Sequence, residues 1–114
     1  MTTEDLSAQP LKPQEKVAIT KEQVIESLRA RPDDFSLMTE FLNQREAQFS
    51  REPADLDYLL LGITQAEMYR DAGLREEARE AFESSLIIAD QSAEKLGRPD
   101  LVGYCEAELA KLSE

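Results

Sequence analysis

The sequence predicts an all-α protein of about five helices joined by short loops. From residue 20 onward, apolar residues recur at three- and four-residue spacings, which is the period of an amphipathic helix. No segment shows the sustained alternation of Val, Ile and Thr that is typical of strands. The chain has only four glycines, and two of them, Gly73 and Gly97, stand where helices are expected to end. The length of 114 residues and the apolar fraction of 41% fit one domain with its own core.

Residues 1–19 differ from the rest of the chain. Polar residues and two prolines dominate them, and they show neither a helical nor a strand period. We therefore predict a flexible leader that is disordered on its own, followed by a single all-α domain at residues 20–114. Three apolar residues offer a way for the leader to dock onto the domain: Leu11, Val17 and Ile19.

The first two helices are predicted from their caps. Thr20 and Gln23 have the spacing of a capping box, in which each side chain bonds the backbone N–H of the other residue. Pro32 ends the first helix, and Asp33 or Asp34 can cap the second. The apolar residues of the first helix are Val24, Ile25 and Leu28, and those of the second are Phe35, Met38, Phe41, Leu42 and Phe49.

Helices three to five are predicted from similar patterns. Pro53 suits the first turn of the third helix, which Gly73 ends. The fourth helix is expected over about residues 75–96 with Gly97 after it, and Pro99 starts the fifth. The expected apolar face of the third helix consists of Leu56, Leu59, Leu60, Ile63, Ala66 and Tyr69. That of the fourth helix consists of Ala78, Ala81, Phe82, Ser85, Leu86, Ala89 and Ala93, flanked by Ile87 and Ile88. That of the fifth helix consists of Leu101, Cys105, Leu109 and Leu112.

Small and aromatic residues recur at defined positions in helices three and four. The small ones are Ala66, Ala78 and Ser85, the aromatic ones are Tyr69 and Phe82, and Gly73 lies at the turn between the helices. This pattern resembles a tetratricopeptide repeat, a helical hairpin of about 34 residues. The resemblance covers about residues 57–112, and it implies that helix five is the first helix of a following unit or a capping helix.

The sequence departs from the repeat pattern at several positions. Gly62 stands where the repeat has Trp or another large aromatic residue, Gln65 where it has Leu, and Asp90 where it has Pro. Helices one and two fit the repeat in no register, and arrays usually contain about three repeats. A generic small helical bundle is therefore the alternative to the repeat-like fold.

The resemblance implies a concave binding groove on the first-helix face. Its exposed groove positions correspond here to Leu60, Ile63, Glu67 and Arg70. Members that bind a C-terminal carboxylate use Lys, Asn and Arg at such positions, so Ile63 and Glu67 do not support a carboxylate clamp. An apolar peptide or helix, anchored by Leu60 and Ile63, is the expected ligand. The alternative is that both residues belong to the core and pack against helix two.

The acidity of the chain limits its partners. With 24 acidic and 13 basic residues, the net charge is −11. This charge argues against nucleic acid and against a membrane surface, because both require clustered Lys and Arg. An acidic strip begins the fourth helix and consists of Glu76, Glu77, Glu80 and Glu83. We interpret the strip as a solvated face, partly neutralised by Arg75 and Arg79, and a docking strip for a basic partner is the alternative.

The composition also limits the chemistry. The chain has no His, and therefore no Ser–His or Cys–His pair and no histidine-ligated zinc. Its single Cys105 stands on an apolar stripe without a neighbouring cation, so it is interpreted as structural. The carboxylates of Asp33 and Asp34 lack a third ligand, and no glycine-rich phosphate loop is present. We expect no enzymatic activity and no catalytic, cofactor-binding or metal-binding residues.

These observations predict a small acidic, tetratricopeptide-like interaction module, an adaptor or chaperone-like protein that binds a segment of another protein. The expected compartment is the cytoplasm, because the first residues lack the apolar stretch of a secretory signal and one Cys suits a reducing environment. A homodimer is a variant, since one repeat leaves apolar faces to cover. The alternative function is an acidic inhibitor or antitoxin-like protein that blocks a basic site on another protein.

Overall fold

A computed structural model describes residues 18–49, 55–92 and 94–113. These residues form a small helical bundle without strands. Its five helices are α1 (Lys21–Ala30), α2 (Ser36–Glu46), α3 (Asp55–Asp71), α4 (Arg75–Ser92) and α5 (Asp100–Leu112). The predicted all-α class and the number of helices are confirmed for this part of the chain. Pro53, Ala93 and residues 1–17, for which the sequence made predictions, lie outside the described residues.

Local side-chain chemistry determines where several helices begin and end. The Thr20 hydroxyl accepts a hydrogen bond from the Gln23 N–H at 3.1 Å, and the Thr20 N–H donates to Gln23 Oε1 at 2.9 Å. This is the predicted capping box, and it begins α1. Gly73 and Gly97 have φ values of 86° and 76°, in the left-handed region that favours glycine. Gly73 directly follows the end of α3, as the sequence predicts, whereas Gly97 lies in the turn between α4 and α5, five residues after Ser92.

Two helix ends differ from the prediction. The N-cap of α2 is Phe35, because Asp34 lies one position earlier and its Oδ1 accepts from the Ser36 N–H at 3.0 Å in a local turn. α4 ends at Ser92, and the chain continues as a turn in which the Leu96 N–H donates to the Ser92 carbonyl at 2.9 Å. The last turn of α4 has no basic residue, and a cation there would favour a longer helix.

Two apolar clusters hold the helices together. The large core, between α3, α4 and α5, contains Leu59, Ile63, Ala66, Ala78, Phe82, Ala89, Leu101 and Cys105 as buried residues. The small core, between α1, α2 and α3, contains Val24, Leu28, Met38, Phe41 and Met68. Tyr69 packs against both clusters. α3 is therefore the central helix of the described structure.

Small residues let α3 and α4 approach closely. Ala66 and Ala78 are completely buried, and Ser85 is 3% exposed. A Cβ atom added at Gly62 would lie 3.2 Å from Ser85 Oγ, so even alanine would require Ser85 to shift. The glycine at this position, where the repeat pattern has a large aromatic residue, thus matches the close packing of α4 on α3.

The end of the predicted leader contacts the small core. The Ile19 N–H donates to Gln44 Oε1 at 2.9 Å, and the Ile19 side chain packs against the cluster. Ile19 was one of three leader residues suggested as docking points. The other two, Leu11 and Val17, lie outside the described residues.

Candidate functional site

A cleft opens between α3 and the beginning of α5. It has a volume of about 460 Å³, within the range of about 300–1,000 Å³ that is typical of ligand sites. Its lining comprises Leu60, Ile63, Thr64 and Glu67 from α3, Arg98 from the preceding turn, and Asp100, Leu101 and Tyr104 from α5. The four α3 residues are three or four positions apart, so the helix presents them on one face. α4 contributes none of these lining residues.

Three of the four predicted groove residues line this cleft. Leu60 is half-buried beside the large core, and Ile63 is only 5% exposed and belongs to that core. Ile63 therefore belongs to the large core of α3, α4 and α5, and Leu60 packs against that core. The buried α2 residues Met38 and Phe41 belong to the small core. Ile63 forms part of the cleft floor, whereas Leu60 offers more of its apolar surface. Glu67 completes the α3 side of the cleft, and Arg70 lies three residues beyond it.

Glu67 and Tyr104 connect three helices at one end of the cleft. Glu67 Oε1 accepts from Lys21 Nζ of α1 at 3.1 Å, and Glu67 Oε2 accepts a hydrogen bond from the Tyr104 hydroxyl of α5. The Tyr104 ring packs edge-to-face on Phe82, with 6.2 Å between the ring centroids. Burial, followed by the bond to Glu67, raises the pKa of Tyr104 to about 12. Tyr104 therefore stays protonated at neutral pH and keeps its donor role.

Arg70 extends this polar network along α3 and α5. Its Nη1 donates to Glu108 Oε1 at 2.8 Å and to the Tyr104 hydroxyl at 3.4 Å, and its Nε donates to Asp71 Oδ1 at 2.9 Å. The hydrogen bond that Arg70 donates to the Asp71 carboxylate is the main reason that the pKa of Arg70 is raised. Arg70, a predicted groove residue, thus directs its donors to partners within the protein. Because Glu67 meets Tyr104 and Arg70 meets Glu108, α3 and α5 run in the same direction along the cleft.

Glu108 is a buried carboxylate, 5% exposed, at the far end of this network. Its second oxygen, Oε2, accepts from Lys111 Nζ at 3.1 Å. Burial by itself raises the pKa of Glu108, but the hydrogen bonds from Arg70 and Lys111 outweigh it and hold the pKa below its usual range. Glu108 is therefore ionised in the folded protein at neutral pH, and it ties α5 to α3 through Arg70.

Arg98 and Asp100 form the other end of the cleft. Arg98 Nε and Nη2 each donate to one oxygen of Asp100 at 3.1 Å, which is a bidentate pair. The pair raises the pKa of Arg98 and lowers that of Asp100. The cleft consequently has paired charges at both ends and the apolar residues Leu60, Ile63 and Leu101 between them.

The predicted acidic strip lies at the beginning of α4. Glu76 forms an ion pair with Arg79, and among the described residues Arg79 does not pair with Glu83 as well. Glu77 is half-buried, whereas Glu80 and Glu83 are exposed. Glu77 and Glu80 border a shallow depression of about 220 Å³ between α3 and α4, which shares no lining residue with the cleft.

Cys105 belongs to the large core and is completely buried. Burial, with the nearby carboxylates of Glu106 and Glu108, raises the pKa of its thiol, so the reactive thiolate is disfavoured. This environment agrees with a structural interpretation of the residue. Within the described residues, no group of three or more Asp, Glu and Cys side chains is arranged to hold a metal ion.

The residues that α1 and α5 contribute to the site were not among the predicted site residues. Lys21 lies 46 residues from Glu67, and Tyr104 lies 37 residues from it, so no local pattern connects them. The sequence of α5 did contain one indication. Leu101, Tyr104 and Glu108 are three or four residues apart and therefore lie on one helical face. If α5 is aligned with α3 as the first helix of a second repeat, these residues fall on its groove face.

No match to this chain was found among known protein families, curated proteins or solved structures. None of the described helices is long and apolar enough to span a membrane.

Proposed function

We propose that this protein is a non-enzymatic protein–protein interaction module that binds a segment of a partner protein in the cleft between α3 and α5. The observation that supports this function is the cleft itself, where apolar side chains lie between two ends of paired charge. Binding sites commonly have this composition, an apolar floor with a few polar groups around it. In this proposal the protein acts as an adaptor or a chaperone-like holder.

The arrangement of helices supports the tetratricopeptide-like part of the proposal. α1 and α2 pack against α3, and α4 packs against both α3 and α5. α3 and α5 run in the same direction with the cleft between them. In stacked helical hairpins, equivalent helices lie side by side and form an extended concave binding surface. The cleft occupies the corresponding place here.

The chemistry of the cleft favours an apolar side chain of the partner. Leu60 and Leu101 provide apolar contact, and the Thr64 hydroxyl already donates to the Leu60 carbonyl at 2.9 Å. Glu67 is engaged by Lys21 and Tyr104. Because the charged groups of the cleft have partners within the protein, binding should depend on apolar contact and only weakly on salt.

The overall charge supports a protein as the partner. A net charge of −11 disfavours nucleic acid and anionic membranes, so we propose neither as a ligand. One buried Cys suits a reducing compartment, and the cytoplasm is the proposed location.

The test uses peptides selected from a random library by binding to the full-length chain. Leu60→Glu should weaken a cleft-binding peptide by about tenfold or more, because a carboxylate replaces the apolar contact. Thr39→Glu, an exposed α2 position, is the matched control and should leave binding unchanged. Ile63→Glu is unsuitable, since Ile63 is 5% exposed and the variant would disturb the core. Affinities from fluorescence anisotropy that are equal for wild type and Leu60→Glu would refute the cleft as the site.

An acidic inhibitor of a basic site is a second candidate, favoured by the exposed carboxylates of Glu80 and Glu83. Its binding would weaken steeply as salt increases, because exposed charges are screened. Glu80→Lys together with Glu83→Lys would abolish such binding, whereas Leu60→Glu would not. Measuring the same affinities at low and high salt therefore separates the two functions.

A further inference from the structure

Two adjacent isoleucines of α4 are exposed to solvent. Ile87 is 60% exposed and Ile88 is 48% exposed. Single exposed apolar residues are common on protein surfaces, but here two large side chains lie together. Both are β-branched, which is a poor choice for an exposed helix position because it restricts the side chain without any gain from packing. α4 therefore exposes apolar surface that is not packed against the other described helices.

Carboxylates lie within about one or two turns of this apolar pair. Glu80 and Glu83 precede it, Asp90 follows it, and all three are exposed. Residues three or four positions apart on a helix are neighbours on its surface. Glu83 and Asp90 are thus next to Ile87 on either side, whereas Ile88 lies about a quarter of a turn further around the helix, beside Ser84 and Gln91.

No cation of α4 neutralises these carboxylates. Arg79 pairs with Glu76, one turn from the beginning of the helix. Among the described residues after Arg79, the next cation along the chain is Lys95, which lies beyond the end of α4 at Ser92. Glu83 and Asp90, which flank Ile87, therefore form no ion pair with a cation of α4.

Asp90 is unfavourably placed for the helix itself. It lies in the last turn of α4, which contains no basic residue. The C-terminal end of a helix carries a partial negative charge, so a carboxylate there is repelled. Residues 87–90 thus contain two features that are unfavourable for an isolated helix, the exposed isoleucines and the carboxylate in the last turn. Features of this kind are expected at functional surfaces. A partner with apolar side chains and a cation would cover the isoleucines and pair with the carboxylate.

We propose that the exposed face of α4, which carries Glu80, Glu83, Ile87, Ile88 and Asp90, binds a helical segment of another protein that carries apolar side chains flanked by Lys or Arg. The apolar side chains cover Ile87 and Ile88, and the cations pair with Glu83 and Asp90. An amphipathic helix provides both groups at one-turn spacing. Charge complementarity of this kind increases the association rate and sets the orientation of the partner.

The charges also disfavour a second copy of this chain as the occupant. Among the described residues, the exposed α4 face around Ile87 offers no Lys or Arg that could pair with the carboxylates of another copy, and each chain already carries a net charge of −11. The α4 face is independent of the cleft, because no α4 residue lines the cleft. The two surfaces can therefore be occupied by different segments.

The experiment titrates the full-length protein with a set of synthetic helical peptides. The first peptide has Leu residues on one face with Lys beside them, the second has the same composition with Leu distributed around the helix, and the third has Glu in place of Lys. The first should bind about tenfold more tightly than the second, and the third should not bind. Amide chemical-shift changes should be confined to α4.

Variants of the protein locate the contact. Ile87→Ser together with Ile88→Ser should weaken the first peptide by about tenfold. Both positions are exposed, so the double variant should fold, and circular dichroism checks this. Leu60→Glu should leave the affinity unchanged. Three results would overturn the proposal: equal affinity for the first two peptides, shift changes in the cleft, or a wild-type dimer in sedimentation that the double variant loses.

Discussion

At the scale of single residues, Glu108 shows how the fold accommodates a buried charge. It is the only buried charged residue in the described part of the chain. A buried carboxylate is costly unless it is paired and hydrogen-bonded, and Glu108 meets this condition through Arg70 and Lys111. The pair with Arg70 also joins α5 to α3 beside the cleft, so this charge helps to determine the shape of the candidate site.

Replacing Glu108 should change both stability and its dependence on pH. The pKa of Glu108 in the folded protein lies below its ordinary value of 4.5. Its stabilising effect is therefore fully present above that value and is lost as the pH falls through the folded pKa. Glu108→Gln should reduce the free energy of unfolding by roughly 1–2 kcal/mol at neutral pH, and the difference from wild type should shrink in acid.

Urea unfolding at neutral and acidic pH measures this effect. Glu106→Gln is the matched control, because Glu106 is an exposed carboxylate on the same helix. The control should have the stability of wild type at both pH values. Equal effects of the two substitutions would show that the network around Glu108 contributes nothing specific.

At the scale of helices, the glycines of the chain illustrate how conformation decides the effect of a substitution. Gly73 follows α3 with a φ of 86°, and Gly103 lies inside α5. An added Cβ has open space at both positions. Backbone conformation is therefore the main difference between them, since only Gly73 adopts a conformation that L residues avoid.

The same substitution at these two glycines should have opposite effects. Gly73→Ala should destabilise the protein by about 1 kcal/mol, because alanine is strained at positive φ. Gly103→Ala should stabilise it by about 0.5–1 kcal/mol, because alanine loses less backbone entropy in a helix. Thermal or urea unfolding of both variants gives the comparison. A neutral Gly73→Ala variant would mean that the turn after α3 tolerates other conformations.

The elements predictable from the sequence were those with local determinants. Thr20 and Gln23 lie three residues apart, and Gly73 directly follows α3, so their roles follow from short-range chemistry. The end of α4 was harder to predict. The apolar periodicity continues towards Leu96, but α4 stops at Ser92 and Gly97 lies in the following turn.

The candidate cleft was predictable only in part. The resemblance to a helical repeat pointed to Leu60 and Glu67 on α3. The opposite wall was indicated only by the spacing of Leu101 and Tyr104 on α5, because that spacing identifies a helix face but does not show that α5 packs beside α3. Lys21 likewise meets Glu67 across 46 residues. Helical periodicity indicates which face of a helix is apolar, but it does not say which other helix covers that face.

At the scale of the whole molecule, α3 is the described helix that contributes buried residues to both cores. The large core has eight buried residues and the small core has five, so α4 should be held more firmly than α1 or α2. Regions with fewer buried contacts open at lower free energy than the rest of a protein. We therefore expect the α1–α2 half of the described structure to open locally before the α3–α5 half.

Amide hydrogen exchange tests this division. Amides of α1 and α2 should exchange faster than those of α4 under native conditions. Phe41→Ala, in the small core, should accelerate exchange in α1 and α2 and leave α4 nearly unchanged. Phe82→Ala is the matched substitution in the large core, since both phenylalanines are completely buried. Equal acceleration of all helices by both variants would instead indicate one cooperative unit.

The solitary buried thiol has a practical consequence for distinguishing the two proposed surfaces. Cys105 is the one cysteine of the chain, and it is buried in the large core on α5. A thiol reagent can reach it only when the core between α3, α4 and α5 opens, so the labelling rate reports how often this opening occurs. A ligand that bridges α3 and α5 holds α5 in place directly, so it should slow the labelling more than a segment of equal affinity bound to the outer face of α4. Cys105 thus serves as a single labelling site that reports whether the cleft is occupied, and no further cysteine has to be introduced.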